Sequence, residues 1–338
     1  MKEIIRKTVY LLLAAAFFAV PCLWSPARDY APGLAVIAGI IFAVTWGNPF
    51  KEYTSKFTST LLGATIVGMG FGMNLMEVLK AGANGIVYTI IGICAGIGLG
   101  VLVGKWLKLS RDTMYLISVG TSICGGSAIA AAAPVLKAKA HDVAIASATV
   151  FTLNAVALLV FPAVGHALDF MENQFGYWAA LAIHDTSSVV GAGVQYGEKA
   201  LEVATTVKLA RALWIVPVTL FLSFFVAPVA EGEKRAVKFK VPWFIPGFLI
   251  AAAIVTWLPE LLGNEKAISG YVTDGGKWLK NISKFVMVTT LFLIGSNLSR
   301  EKLKELGFKP VLHGVILWII LSVSWCVAIA AGWVSCKG

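Results

Sequence analysis

Apolar residues run through this chain in blocks longer than a soluble core uses. Windows free of Asp, Glu, Lys and Arg cover 8–27, 30–50, 57–76, 81–104, 113–136, 143–168, 212–230, 241–259 and 310–336. A helix needs roughly 20 apolar residues to cross about 30 Å of hydrocarbon, so each window predicts a span. Two imperfect segments complete the pattern: 173–197, interrupted only by Asp185, and 285–299, preceded by Lys280 and Lys284 and closed by Arg300. The prediction is an all-α polytopic membrane protein, a single integral membrane domain over 1–338 with about 11 hydrophobic segments and short loops.

Composition agrees. Charged residues make up 14% of the chain, against about 25% in soluble domains, which excludes disorder and an ordinary cytosolic enzyme. The net charge of +10 does not predict a nucleic-acid partner, because Lys and Arg gather at the ends of spans. With the N-terminus in the cytoplasm, loops 1–7, 49–56, 105–112, 231–240 and 300–309 hold 16 Lys and Arg. The opposite loops, 28–29, 80–82, 198–199, 260–284 and 337–338, hold 8, the bias expected of cytoplasmic loops. The first segment, led by Lys2, Arg6 and Lys7, reads as an uncleaved span. Whether 113–136 and 173–197 cross or dip and return is left open by the charges.

Segment two contains Pro32-Gly33 and ends Val44-Thr45-Trp46; segment nine contains Pro246-Gly247 and ends Val255-Thr256-Trp257. Gly72-Met73-Asn74-Leu75 in segment three is echoed by Gly295-Ser296-Asn297-Leu298 in segment ten. The paired segments run in opposite directions under the loop assignment, the mark of an inverted repeat. Chance similarity between apolar segments is the rival explanation.

Four places could carry chemistry. The first is Gly120-Thr121-Ser122-Ile123-Cys124-Gly125-Gly126-Ser127. Glycine costs a helix about 1 kcal/mol relative to alanine, and a helix opened in lipid must find other partners for its backbone. The start of the second half-helix then suits an anion. The rival is an unbroken, closely packed helix. The second place is His184-Asp185-Thr186-Ser187-Ser188: Asp185 is the acid deep in an apolar segment, and His184 could move a proton. An acid merely touching water is its plainer reading. The third is Lys208 and Arg211, three apart and so on one helix face; they either attract an anion or snorkel to the interface. The fourth is Asn74 and Asn297, with Asn154 beside Ser147, Thr149 and Thr152, which bind substrate or bridge helices. The glycines Gly92, Gly96, Gly100 and Gly104 read as a packing ladder, and His166 and His313 as structural. Five scattered cysteines (Cys22, Cys94, Cys124, Cys326 and Cys336) form no C-x-x-C pair. No metal site, no cofactor and no disulfide framework are predicted. No H-E-x-x-H or phosphate-binding loop occurs, so metalloprotease and ATP-driven chemistry have no support.

The string from Gly120 to Ala131, with Ile183-His184-Asp185 and Val207-Lys208-Leu209-Ala210-Arg211, resembles the YeiH family of bacterial inner-membrane proteins, which carries a sulfate-exporter label. That family is similar to a wider superfamily of cation/proton antiporters and anion transporters. The resemblance implies a multi-pass protein of the bacterial inner (cell) membrane. It implies two inverted repeats of about five helices, 30–168 and 173–336, after an extra N-terminal helix at 1–28. It also implies broken or re-entrant Gly-rich helices at the midplane, from segments five and ten. The expected function is a secondary active transporter of a small anion such as sulfate, a sulfonate, a carboxylate or bicarbonate, coupled to H+ or Na+. Gly120, Thr121, Ser122, Cys124, Gly125, Gly126, Ser127, Lys208, Arg211, Asn297, Asn74 and Asn154 would bind substrate; His184, Asp185, Thr186 and Ser187 would couple the ion. A monovalent cation/proton antiporter is the alternative, and an intramembrane enzyme using Ser127 or Cys124 is the weaker third. The oligomeric state is open, a homodimer being one option.

Overall fold

The computed structural model describes residues 2–24, 31–226, 243–261, 266–297 and 307–336. All regular structure in them is helical: α1 (Lys2–Leu23), α2 (Ala31–Thr45), α3 (Lys51–Gly70), α4 (Leu75–Trp106), α5 (Arg111–Ser122), α6 (Gly126–Leu136), α7 (Ala140–Ala167), α8 (Glu172–Ala182), α9 (Thr186–Tyr196), α10 (Glu198–Ala212), α11 (Ile215–Phe225), α12 (Phe244–Leu261), α13 (Lys266–Ser296) and α14 (Phe308–Ala330). Among the described residues 6 stretches are long and apolar enough to cross a membrane: Glu3–Leu23, Gly85–Trp106, His141–Ala167, Glu198–Phe225, Gly270–Ser296 and Phe308–Ala330. Shorter apolar helices cover Ala31–Thr45, Gly126–Leu136 and Phe244–Pro259. The basic loops at 28–29, 231–240 and 337–338, residues 300–306, and Leu298 of the repeat echo lie outside the described residues.

The chain divides into two compact units. One comprises Met1–Lys80 and Pro242–Arg300. Here α2 and α13 cross at glycines: a Cβ on Gly39 would lie 2.3 Å from the Phe292 carbonyl oxygen, and one on Gly295 2.5 Å from that of Val36. The same helix ends are tied by polar side chains. Tyr10 and Ser296 share a hydrogen bond of 2.7 Å, Asn48 Nδ2 donates to Asn297 Oδ1 at 3.0 Å, and Thr54 Oγ1 donates to the same oxygen at 2.7 Å. Asn297 Nδ2 in turn donates to Thr58 Oγ1 at 3.3 Å. Amides that bond across helices in this way bridge them.

The other unit comprises Ala81–Val241 and Glu301–Gly338. Its α4 presents the glycine ladder to α5 and α14. A Cβ on Gly96 would lie 2.3 Å from Ser122 Oγ, one on Gly100 2.1 Å from Ser118 Oγ, and one on Gly104 2.3 Å from Met114 Cγ. Gly92 faces Trp325, and His313 Nε2 bonds the Gly100 carbonyl at 2.8 Å. Four glycines at four-residue spacing line one helix face, so α5 seats against the α4 backbone along its length. The start of α5 is fixed separately. Ser110 caps it by accepting from Thr113 N–H, and Ser110 and Thr113 both donate to Asp142 Oδ1 of α7, at 2.6 and 2.5 Å.

Two glycines of α4, two positions apart, test this account. Gly100→Ala should destabilise the detergent-solubilised protein by about 1–3 kcal/mol, as overpacking does, read as a lower thermal midpoint. Gly98→Ala, with nothing within 4 Å of the new carbon, should leave the midpoint unchanged or slightly raised.

Candidate functional site

Two helices of the second unit break in mid-segment. α5 stops at Ser122 and α6 starts at Gly126; α8 stops at Ala182 and α9 starts at Thr186. The halves have 12, 11, 11 and 11 residues, each about 16–18 Å long at 1.5 Å per residue, roughly half a bilayer's hydrocarbon. The first break turns on Gly125, at φ +69 and ψ −127, a conformation glycine adopts without strain. The second turns on Asp185, whose carboxylate Oδ2 accepts from the N–H groups of Ser187 (3.1 Å) and Ser188 (3.3 Å) and from the Ser187 hydroxyl. Asp185 is thus the N-cap of α9.

The breaks touch. A Cβ on Gly125 would lie 3.3 Å from Asp185 Cβ, 3.4 Å from its Cα and 3.5 Å from its Oδ1. The N-terminus of α6, unlike that of α9, has no side-chain cap. A carboxylate therefore sits on one positive helix end, next to a second positive end without one.

The opposite, negative ends are held by α10. Arg211 Nε and Nη2 donate to the Ser122 carbonyl at 2.9 and 2.5 Å, and Nη1 donates to those of Leu181 (2.6 Å) and Ala180 (3.2 Å). Lys208 Nζ donates to the Ile183 carbonyl at 2.7 Å and to that of Ala180 at 3.4 Å. These two side chains are 0% and 1% exposed, which overturns the snorkelling reading. It also moves the start of segment eight: the helical stretch long and apolar enough to cross a membrane is Glu198–Phe225, with both cations inside it. Hydropathy alone cuts a helix at such residues. Neither cation points its fork at an open space; each of Arg211's three nitrogens bonds a carbonyl freed by a break.

A third helix reaches the same place. Asn154 of α7 accepts from the His184 N–H through Oδ1 at 3.1 Å, which satisfies a backbone donor that the second break releases. Asn154 Nδ2, both ring nitrogens of His184, Thr121 Oγ1, Ser122 Oγ and Thr205 Oγ1 are buried without a hydrogen-bond partner among the described residues.

The expected site residues therefore separate. Gly120, Thr121, Ser122, Cys124, Gly125, Gly126, Asn154, His184, Asp185, Thr186, Ser187, Lys208 and Arg211 lie at or beside the two breaks or on the helices that hold them. Cys124 is buried; Ser127, in the first turn of α6, is exposed. Asn74 and Asn297 belong to the first unit. Asn74 is an exposed cap whose Oδ1 accepts from Met76 N–H at 2.8 Å, and Asn297 sits in the helix-bridging cluster. The second break lies in segment seven, not in segment ten, where α13 runs unbroken over Lys266–Ser296. The reason is local: Asp185 caps α9 from inside its own segment, whereas Gly295 lies in the last turn of α13 and serves the crossing with α2. No residue pattern marks Arg211 as a cap for carbonyls or Asn154 as an acceptor for the His184 N–H. Only the i, i+3 spacing of Lys208 and Arg211 hinted at a shared target.

Residues 10–314 match the family model described as conserved hypothetical protein 698. The chain is 48% identical over 332 residues to a UPF0324 membrane protein of Bdellovibrio bacteriovorus, with 98% of each chain covered. It is 43% identical over 326 residues to a UPF0324 membrane protein of Bacteroides thetaiotaomicron, 94% of each being covered. A UPF0324 membrane protein of Geobacter sulfurreducens is 46% identical over 299 residues, covering 88% of this chain and 91% of that one. No solved structure matches. The chain belongs to this family of membrane proteins, as the motif resemblance implied.

Arg211→Met should destabilise the protein by about 3 kcal/mol, because it leaves buried carbonyls of α5 and α8 unpaired. Arg211→Lys should recover only part of the loss, since one ammonium cannot replace a planar fork that bridges two helix ends. Thermal midpoints of the three detergent-purified proteins check both statements.

Proposed function

We propose that this family member is a secondary active transporter of a small anion, with the substrate bound at the uncapped N-terminus of α6. The observation that carries the reading is the meeting of Gly125 and Asp185: two half-helix N-termini converge, and one of them already holds a carboxylate. Backbone N–H groups at a helix start bind oxyanions, and broken helices that expose such ends are a recurring substrate-site design in transporters. Sulfate, a sulfonate, a carboxylate or bicarbonate has the oxygens this end suits. Ser127 and Thr121 would add hydroxyl donors. Lys208 and Arg211 would act by position, keeping the carbonyl ends neutralised so that the positive ends dominate the local field. Asp185 and His184 would couple the movement to H+ or Na+.

The paired architecture supports alternating access. The sequence echo sets α2–α3 against α12–α13, and the packing pairs α2 with α13 and α3 with α12. The breaks set α5–α6 against α8–α9, each followed by a longer helical segment. These pairings do not share one register, because segments two and three pair with nine and ten while segment five pairs with seven. The support they give is the presence of paired broken helices, which carriers use, and the charge bias of the loops puts the N-terminus on the cytoplasmic side. No enzymatic step is part of this reading.

Ser127→Leu should abolish flux of the transported anion in proteoliposomes while leaving the thermal midpoint within about 1–2 °C of wild type, as for a surface substitution. The substrate is found by a thermal-shift panel of sulfate, thiosulfate, taurine, bicarbonate and small carboxylates. Normal flux in Ser127→Leu would remove α6 from the site.

A further inference from the structure

We propose that the two broken segments are re-entrant hairpins that enter the bilayer from opposite sides and meet tip to tip at mid-depth, and that the α6 limb of the first is the entrance from the cytoplasm to the anion site. The entrance rests on the site proposed above; the hairpin topology does not. The mouth of the first hairpin is closed by Asp142. α5 and α6 have 12 and 11 residues, and laid end to end they would carry the chain about 35 Å. Yet Asp142, in the first turn of α7, accepts from Ser110, the N-cap of α5, at 2.6 Å and from Thr113 at 2.5 Å. Residues 137–139 alone separate α6 from α7, a reach of at most about 14 Å. The end of α6 therefore returns to the start of α5. The limbs lie side by side near the tip, where a Cβ on Gly120 would be 2.8 Å from Ile129 Cγ1.

The second hairpin closes in the same way. Phe175, near the start of α8, stacks on Tyr196, the last residue of α9, with ring centroids 3.7 Å apart. The Tyr196 hydroxyl donates to the Phe170 carbonyl at 2.5 Å. Glu172 Oε2 accepts from the N–H groups of Lys199 and Ala200 at 2.7 and 3.2 Å. α7 sets the two mouths apart. Its stretch His141–Ala167 has 27 residues, about 40 Å of helix. Asp142 stands at one end, and His166 at the other stacks on Tyr196 with centroids 4.2 Å apart. Asn154, which bonds the second break, is the central residue of that stretch. The stretch Glu198–Phe225 agrees: it leaves the second mouth, carries Lys208 and Arg211 near its middle, and ends at the first mouth, where Arg111 donates to the Val226 carbonyl.

Charge and exposure give the direction. Lys105, Lys108, Arg111, Lys137 and Lys139 flank the first mouth, whereas 168–172 has no Lys or Arg and 197–199 has Lys199. The first mouth is therefore the cytoplasmic one. Ser127, Ala130 and Pro134 are exposed, and their spacing puts them on one face of α6, from the tip toward that mouth. The other hairpin is shut: Phe175–Ala182 of α8 and Thr186–Gly193 of α9 are buried throughout.

The test labels the full-length protein in bacterial membranes with a membrane-impermeant maleimide and reads the modified peptides by mass spectrometry. Spheroplasts present the outer face, and inverted vesicles the cytoplasmic face. Lys105→Cys and Lys139→Cys flank the first hairpin, and Met171→Cys and Lys199→Cys flank the second. The first pair should label only in inverted vesicles and the second only in spheroplasts. Members of one pair on opposite sides mean a crossing segment and overturn that hairpin; both pairs on one side overturn the opposed arrangement, and a first pair on the outer face overturns the cytoplasmic entrance. Ser127→Cys, carried together with Lys139→Cys as an internal control, should react with a small impermeant methanethiosulfonate in inverted vesicles. A Ser127→Cys site that stays unmodified while the control reacts overturns the entrance. An anion panel without a response defeats the anion reading alone, because the labelling of the two pairs needs no substrate.

Discussion

A helix broken inside hydrocarbon leaves carbonyls at one end of the gap and N–H groups at the other, and no water stands ready to satisfy either. Arg211 is where this protein meets that constraint. One guanidinium bonds Ser122 at the end of α5 and Ala180 and Leu181 at the end of α8, so one side chain from α10 joins two broken helices at their negative ends. Lys208, one turn earlier, covers Ile183. The placement of the breaks, the contact between Gly125 and Asp185 and the direction of the local field all depend on these bonds. Without them the carbonyl ends would be unpaired, and each buried unpaired carbonyl costs about 1–3 kcal/mol.

The clamp also explains why the site is asymmetric. Built-in cations hold the negative helix ends. A built-in anion, Asp185, holds one of the two positive ends, and the start of α6 has only glycine and Ser127. Gly125 is needed twice at this point: its positive φ suits no β-carbon, and a side chain would press on Asp185. The same residue that lets the helix break therefore keeps the acid and the α6 N-terminus close enough to influence each other.

Much of this was legible in the residues. The apolar windows mark the helices; the glycine and serine cluster at 120–127 marks the first break; Asp185, the acid that interrupts the apolar segment 173–197, marks the second. Glycines four apart in α4 mark the surface that seats α5. What hydropathy hides is a charge whose partner is the backbone. Lys208 and Arg211 look like the end of a span because their partners, the carbonyls of residues 122 and 180–183, are freed only by breaks in other helices. The asparagines were ambiguous for a related reason. Asn74, Asn154 and Asn297 look alike in apolar sequence, yet one caps a helix at the surface, one satisfies a broken strand of backbone at His184, and one ties helix ends together. Their roles follow from which backbone or hydroxyl group lies opposite, and that is a tertiary fact.

The polar interiors of the two units point in different directions. In the unit of α2, α3, α12 and α13, the buried hydroxyls and amides find one another: Tyr10 with Ser296, Asn48 and Thr54 with Asn297, and Asn297 with Thr58. A closed network of that kind fixes helix positions and has little capacity left for a ligand. In the unit of the breaks, His184 with both ring nitrogens, Asn154 Nδ2, Thr121 and Thr205 are buried with hydrogen-bonding capacity unspent. Buried polar groups are ordinarily paired, and such a group is retained at a cost in stability where another function requires it. These groups lie on α5, α7, the second break and α10, the elements that position Gly125 and Asp185. Unspent capacity also occurs away from the breaks, at Asn173, Trp318 and Ser322, so the paired helix ends, rather than hydrogen-bond satisfaction, single out the region around Gly125 and Asp185.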